Sequence, residues 1–121
     1  MVSTPTVDQI LNDTTQKSDS RCGFVLRVRE DKLDEYLQAH CHVWEEMRDA
    51  LSRSGWRNYS LFVDPETAVV FGYFEADDVW QAMNCMENEE INTKWQAEMA
   101  QYFVQPDGGT NYFLSQYFYL Q

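Results

Sequence analysis

Two histidines, His40 and His42, are the side chains in this chain best suited to acid–base chemistry near neutral pH. His40 follows Tyr36 by four residues and precedes Trp44 by four. On a helix these three side chains share one apolar face, because residues four apart lie one turn apart. His42 is rotated by about 200° from His40 and lies among acidic and amide residues. We therefore expect His42 to be a solvent-exposed surface residue.

His40 has two interpretations, and the sequence pattern leaves both open. An imidazole placed among aromatic side chains must form a hydrogen bond or lose free energy. In the first interpretation His40 is a core residue, bonded to a backbone carbonyl or to the Tyr36 hydroxyl. In the second it donates and accepts a proton at the floor of a pocket.

Metal and nucleotide sites have little support in the sequence. His40 and His42 diverge on a helix, and Cys22, Cys41 and Cys85 are widely spaced and form no Cys-x-x-Cys pair. The chain has no glycine-rich phosphate-binding loop. We expect no metal and no organic cofactor, Cys41 as a packing residue, and three reduced thiols in a cytoplasmic protein.

Three tryptophans, Trp44, Trp80 and Trp95, fall on predicted apolar helix stripes, where packing into the core is the default. Trp95 differs because its stripe neighbours are modest in size. An open indole face at that position could receive the apolar face of a pyranose, since aromatic rings carry a large apolar surface.

Tyr59 is predicted to lie in the middle of a strand, with Asn58 on the opposite face of the sheet. If the face that carries Tyr59 meets the first long helix, its hydroxyl approaches Tyr36 and His40. A phenol pair beside an imidazole would then form a small polar group inside an aromatic pocket.

The elements that must position these residues follow from hydrophobic periodicity. Alternation with period two predicts strands, three- and four-residue steps predict helices, and an Asp-Pro-Glu-Thr turn joins two strands as a hairpin. Asp77 and Asp78 are expected to open one helix, and Asn88 to cap the next. The predicted order is strand 21–28, helix 32–54, strand 56–63, strand 68–75, helices from 77 and from 88 to 102, loop 105–110 and strand 112–120.

This order predicts an α+β fold, a ferredoxin-like βαββαβ subunit whose antiparallel sheet is covered by helices on one face. The strands carry apolar residues on both faces. The second face therefore needs cover, and a homodimer packed sheet to sheet would supply it.

The 121 residues suffice for one domain. A net charge of −11 disfavours nucleic acid and anionic membrane surfaces as partners. No apolar run is long enough to cross a bilayer, and the first residues do not read as a signal peptide. We expect a flexible leader over 1–20 and the folded domain over 21–121.

Over about residues 21–120 the sequence resembles the L-rhamnose mutarotase family. The resemblance lies in an ordered set of elements: Tyr36-x-x-x-His40-x-x-x-Trp44, Gly55 with Asn58-Tyr59 and Asp64, Trp80, Trp95-x-x-x-Met99, and Phe118-Tyr119-Leu120. It implies a dimeric α+β barrel of ferredoxin-like subunits, a monosaccharide substrate and no cofactor.

By the same resemblance His40 takes the position of the catalytic proton donor, and Tyr36 and Tyr59 take those of sugar-contacting tyrosines. Trp95 takes the first position of a tryptophan pair that borders the sugar. The second position is Gln96 in this chain, which changes a wall of the pocket. The implied substrate is L-rhamnose, with L-fucose or a related hexose left open.

Two other functions remain as alternatives. One is another dimeric α+β barrel protein, such as a cofactor-free monooxygenase or a haem-handling enzyme, which would also place His, Tyr and Trp beside the sheet. The other is a non-catalytic module that binds a small molecule or regulates a partner.

Overall fold

The computed structural model describes residues 4, 6–14, 19–104 and 111–120. Residues 1–3, 5 and 15–18 of the expected leader and the whole predicted loop 105–110 lie outside these residues. Within the leader, helix α1 covers Val7–Thr14 and extends the short helical turn that the sequence suggests at 7–11.

The sheet has four antiparallel strands in the order β2-β3-β1-β4. Alternating buried residues and a short hairpin account for the three long strands. The two connections that carry helices pack them on one face, which confirms the ferredoxin-like α+β prediction. The strands are β1 Arg21–Arg27, β2 Arg57–Asp64, β3 Val69–Glu75 and β4 Tyr112–Leu114.

The last strand is shorter than predicted, since only Tyr112–Leu114 pair with β1 and not the whole of 112–120. Leu114 pairs with Gly23, and β1 begins only two residues earlier, at Arg21. An antiparallel strand therefore runs past the start of its partner almost at once, and residues 115–120 have no strand to pair with.

The prediction of one helix over 32–54 is wrong, because the chain forms α2 over Leu33–Cys41 and α3 over Glu45–Arg53. The His40 ring nitrogen Nδ1 bonds the Tyr36 carbonyl at 3.0 Å. The backbone amide of His42, the first residue after α2, reaches only the Ala39 carbonyl three residues back. A tightened last turn is a common way in which helices end. Trp44 then has extended backbone angles and begins α3.

Helices α4, Val79–Glu87, and α5, Glu90–Met99, complete the layer over the sheet. The Asp78 carboxylate caps α4 by accepting from the amides of Trp80 and Gln81, as the sequence predicts. Asn88 does not cap α5. It ends α4, with its side-chain amide on the Asn84 carbonyl, and Glu89 precedes α5.

The core lies between the sheet and the helices in two clusters, and Trp56 packs against both of them. Its indole stacks on Phe74 with ring centroids 3.7 Å apart, and its N–H donates to the Ala82 carbonyl at 3.1 Å. The buried indole nitrogen is therefore satisfied, and the start of β2 is fixed to α4.

Three side chains expected in the core lie at the surface, and one of them is Trp44, which is 39% exposed. Trp80 is 61% exposed and meets Phe113 edge on, because the buried stripe of α4 runs through Val79 and Ala82 instead. Cys41 is also exposed, at the last turn of α2. The three cysteines are free thiols, and only Cys22 is buried.

The hairpin between β2 and β3 is confirmed, but its loop is wider than a simple type I turn. The amide of Ala68 donates to the Asp64 carbonyl at 2.9 Å, four residues apart, and Ala68 has φ +60°. A loop of 65–68 then leaves Asp64 and Val69 as the first paired residues.

The sheet face away from the helices carries a continuous apolar row. Phe62, Phe71, Val25 and Tyr112 are direct partners across all four strands. Phe62, Phe71 and Tyr112 are exposed, whereas Val25 in the interior of the sheet is buried. This row is large enough to need cover from something other than water.

Gly72 makes room for the aromatic wall of the helix-covered face. A Cβ at this position would lie 2.2 Å from the ring of Phe24, its partner on β1. We expect Gly72→Ala to lower the free energy of unfolding by about 1–3 kcal/mol, because the ring must leave its place in a packed layer. Urea unfolding measures this change.

Gly23→Ala is the matched control on the neighbouring strand. A Cβ there meets its nearest atoms at 3.9 Å, an ordinary van der Waals contact. Its effect should stay within about 0.5 kcal/mol. Equal losses in the two variants would show that the Phe24 ring does not require a glycine opposite it.

Candidate functional site

A cleft of about 600 Å³ opens between the helix-covered face of the sheet and helices α2 to α5. A smaller recess of about 220 Å³ adjoins it and shares several of its walls. Four of the predicted site residues, His40, Tyr59, Trp95 and Gln96, line both, and Tyr36 lines the recess. The structure thus brings all five predicted residues together.

His40 satisfies parts of both interpretations offered by the sequence. A backbone carbonyl can only accept, so the bond from Nδ1 to the Tyr36 carbonyl places a proton on Nδ1. In the neutral imidazole the lone pair is then on Nε2. The ring is half-buried and lines the cleft, so the same hydrogen bond that satisfies it also leaves Nε2 free for proton exchange.

Two aromatic rings hold the imidazole in place. The Tyr36 ring lies with its centroid 4.4 Å from that of His40, and the Trp95 indole meets the imidazole edge on at 5.6 Å. Tyr36 is itself packed edge on against Tyr102 and Phe103. The orientation of His40 is therefore fixed by packing as well as by its hydrogen bond.

Trp95 borders the cleft but does not offer a broad open face. It is 7% exposed and lies between His40 and Trp44, whose indole packs perpendicular to it at 5.0 Å. The open indole face expected from the sequence is therefore mostly covered, and only a limited part of the Trp95 ring lines the cleft. Trp44, on the break between α2 and α3, supports that wall from outside.

A bulge in β2 turns Tyr59 toward the helices. The register shifts between Arg57 and Ser60, and Asn58 has φ +49° with its side-chain amide on Glu75 at 2.9 Å. Non-glycine residues adopt such angles at bulges and turns when a side chain fixes them, and asparagine does so most readily. Tyr59 contacts Trp56 on the helix-covered face, as the sequence predicts.

Both site phenols are harder to ionise than a free tyrosine. Burial raises the pKa of Tyr59 to about 12, although 40% of the residue's surface is exposed. Burial, and then the charge of an ionised Tyr59, raises the pKa of Tyr36 as well. At neutral pH both hydroxyls are protonated hydrogen-bond donors.

Gln96 lies at the rim of the cleft on α5, where its Nε2 donates to the Asn92 side-chain oxygen at 3.2 Å. Asn92 in turn donates to the Met86 carbonyl at 3.0 Å. The sequence analysis missed Asn92, together with the wall residues Arg48 and Glu87. The spacing of four between Asn92 and Gln96 was a usable signal, because it places both on one helix face.

The arrangement supports proton transfer to a neutral, hydroxyl-rich ligand. It combines one imidazole with a free nitrogen, two neutral phenols and side-chain amides, set in mainly apolar and aromatic walls that also include Arg48 and Glu87. Within 4, 6–14, 19–104 and 111–120, no three His, Cys, Asp or Glu side chains converge as a metal site would require. No helix in those ranges is long and apolar enough to span a bilayer.

The sequence profile of the L-rhamnose mutarotases matches residues 21–120 of this chain. An L-rhamnose mutarotase from Oceanobacillus iheyensis is 41% identical over 75 residues, which are 62% of this chain and 71% of that protein.

Two solved structures have the same fold. The crystal structure of an L-rhamnose mutarotase from Formosa agariphila superposes with a TM-score of 0.70 at 27% identity, covering 84% of this chain and 98% of that one. A dimeric ferredoxin-like protein from an uncultured marine organism gives a TM-score of 0.58 at 17% identity, with 84% and 94% covered. The profile match covers nearly the whole of the sheet and its helices, and the chain belongs to the L-rhamnose mutarotase family.

Proposed function

We propose that this chain is an isomerase that interconverts the α and β anomers of a deoxyhexose, L-rhamnose or the related L-fucose. The observation that carries the proposal is the hydrogen bond from His40 Nδ1 to the Tyr36 carbonyl. This bond leaves Nε2 free to exchange protons within a sugar-sized cleft. Membership of the family supports the reaction, because the relatives are named L-rhamnose mutarotases.

Anomer exchange needs two proton movements. His40, as the imidazolium, gives its Nε2 proton to the ring oxygen while the anomeric hydroxyl gives its own proton to a water molecule. The bond between C1 and the ring oxygen breaks, and C1 becomes an aldehyde carbon. After rotation about the C1–C2 bond, the former ring oxygen attacks the other face of the aldehyde and returns its proton to Nε2, while the protonated water returns a proton to the aldehyde oxygen. Positioned acid–base catalysis of this kind contributes about 10²–10⁴-fold.

The two phenols orient the sugar. Because Tyr36 and Tyr59 stay protonated at neutral pH, neither serves as a phenolate base. Each can donate a hydrogen bond to a sugar oxygen, and a neutral phenol can relay a proton only by accepting one while it releases its own. Trp95 and Gln96 complete the wall that borders the sugar.

We also propose that two copies of the chain pair through the open face of the sheet. The exposed row of Phe62, Phe71 and Tyr112 would be buried in such a homodimer, and hydrophobic burial stabilises association. A structural relative is described as a dimeric ferredoxin-like protein, which supports a dimer here.

We propose that residues 21–121 form the catalytic domain and that residues 1–20 are a leader outside it.

Three free cysteines, two of them exposed, support a cytoplasmic location, because reducing compartments keep such thiols unpaired.

His40→Asn tests the catalytic role. The asparagine amide can still donate to the Tyr36 carbonyl, so the fold and the wall should remain, but no group at position 40 can then exchange a proton. We expect the rate of anomer exchange on L-rhamnose to fall about 100- to 10,000-fold. Saturation-transfer NMR on the two anomeric protons measures the rate.

His42→Asn is the control, since His42 is exposed and lies outside the walls of the cleft. It should exchange anomers at the wild-type rate. A His40→Asn protein that folds and retains full activity would remove His40 from the mechanism.

Phe71→Glu tests the homodimer. A carboxylate in the middle of the apolar row should yield a monomer at concentrations where the wild type is a dimer, because an unpaired charge is costly to bury. Sedimentation velocity gives the mass. Leu37→Glu, at another exposed apolar position but on α2, should leave the dimer intact, and a wild-type monomer would refute the pairing.

The protected phenols predict a loss of stability in alkali. An unfolded tyrosine ionises near pH 10, whereas burial raises the pKa of Tyr59 to about 12. Between these values the unfolded chain binds fewer protons, so the free energy of unfolding falls as pH rises. This contribution is complete below pH 10 and is lost toward pH 12.

Urea unfolding at a series of pH values checks this expectation. The fall should be shallower in Tyr59→Phe than in the wild type. Tyr117→Phe, which removes an exposed phenol, should retain the full fall, and identical curves for Tyr59→Phe and the wild type would contradict the assignment.

A further inference from the structure

We propose that Asn92 is a positioning residue that fixes the side-chain amide of Gln96, so that Gln96 presents its carbonyl oxygen to a sugar hydroxyl. The inference rests on the mutarotase function proposed above and names a further determinant of specificity at the same site. It assigns a role to a polar pair whose members both line the cleft that holds His40.

The direction of the hydrogen bonds follows from their fixed end. The Met86 carbonyl can only accept, so the Asn92 side chain must turn its NH₂ group toward it, at 3.0 Å. The Asn92 oxygen then faces Gln96 and accepts from Nε2 at 3.2 Å. Each amide therefore has one preferred orientation. Gln96 Oε1 takes part in neither of these two hydrogen bonds.

Asn92 and Gln96 are held by helices and not by a loop. Met86 lies in the last turn of α4, Asn92 in the first turn of α5, and Gln96 one turn further along α5. Asn92 is half-buried, whereas Gln96 is exposed at the rim beside Trp95. A rim amide without Asn92 would rotate among several rotamers, and binding would then carry the entropy cost of ordering it.

The chemical consequence concerns which sugars bind well. A carbonyl oxygen gains a hydrogen bond from a hydroxyl but none from a methyl group, and a polar atom facing a methyl group loses its water without compensation. The cleft therefore favours sugars that bring a hydroxyl to this part of the rim. The contact is made to a sugar hydroxyl and not to His40 Nε2, so it should act on binding and leave the proton transfer unchanged.

A double-mutant cycle separates this role from a structural one. Exchange kinetics are measured on L-rhamnose and L-fucose for the wild type, Asn92→Ala, Gln96→Ala and the double variant. For the sugar with the lower wild-type KM, each single variant should raise KM roughly 2- to 12-fold, the worth of one neutral hydrogen bond, with kcat little changed. The double variant should match Gln96→Ala, because Asn92 acts only through Gln96.

Asn88→Ala is the matched structural control. Asn88 also donates its side-chain amide to a carbonyl of α4, that of Asn84 at 3.0 Å, but it does not line the cleft. It should lower the melting temperature about as much as Asn92→Ala does and leave KM unchanged. If Asn92→Ala does not fold, Asn92→Ser replaces it in the cycle, because serine is too short to reach Gln96.

Asn92→Asp supplies a conservative rescue. It retains an oxygen that accepts from Gln96 Nε2 but loses the donor to the Met86 carbonyl and is repelled by it, so KM should fall between the values of the wild type and Asn92→Ala. A KM as high as that of Asn92→Ala would overturn the proposal. So would increases in KM that multiply in the double variant.

The failure of this inference is distinguishable from failure of the proposed function. A wild-type protein that exchanges neither sugar refutes the mutarotase reaction. A wild-type protein that exchanges them, with Asn92→Ala identical to it in KM, refutes only the positioning role of Asn92.

Discussion

The hydrogen bond between the His40 ring and the Tyr36 carbonyl is the interaction on which the site depends. It decides which imidazole nitrogen carries the fixed proton. It also ties the ring to the backbone of α2 before the helix ends at Cys41 and the chain turns extended into α3. The end of the helix places Trp44 against Trp95, and Trp95 against the imidazole. One contact thus links the chemistry of the site to the path of the backbone.

The other walls are placed by small departures from regular structure in the sheet. The bulge at Asn58 turns Tyr59 inward, and the missing Cβ at Gly72 gives the Phe24 ring its place opposite. Bulges and glycines in strands commonly mark positions where a side chain is re-aimed or another group approaches closely. In this protein both serve the same recess, which explains why a sheet of ordinary topology carries a shaped aromatic pocket.

Local signals predicted much of this architecture. The alternation in β1, the hairpin and the Asp78 cap depend on neighbouring residues, and the structure confirms all three. The long helix was wrong because the backbone tightens at His42 and turns extended at Trp44, and an apolar stripe that continues across the break does not reveal it. Trp80 was wrong because periodicity does not say which side of a wide stripe meets the sheet. The five site residues came from their ordered resemblance to a family, and Asn92 was missed because its role depends on the Met86 carbonyl of another helix.

The recess beside His40 has a consequence for the metabolic form of its substrate. In the part of the chain that the structure describes, its walls are aromatic, aliphatic or amide side chains apart from the imidazole, with no lysine or arginine among them. A phosphate ester placed there would lose its hydration without a paired cation, and the net charge of −11 repels it on approach. Such a recess suits the free part of a sugar and not a phosphate, and a cation, Arg48, is present only in the wall of the larger cleft beside it.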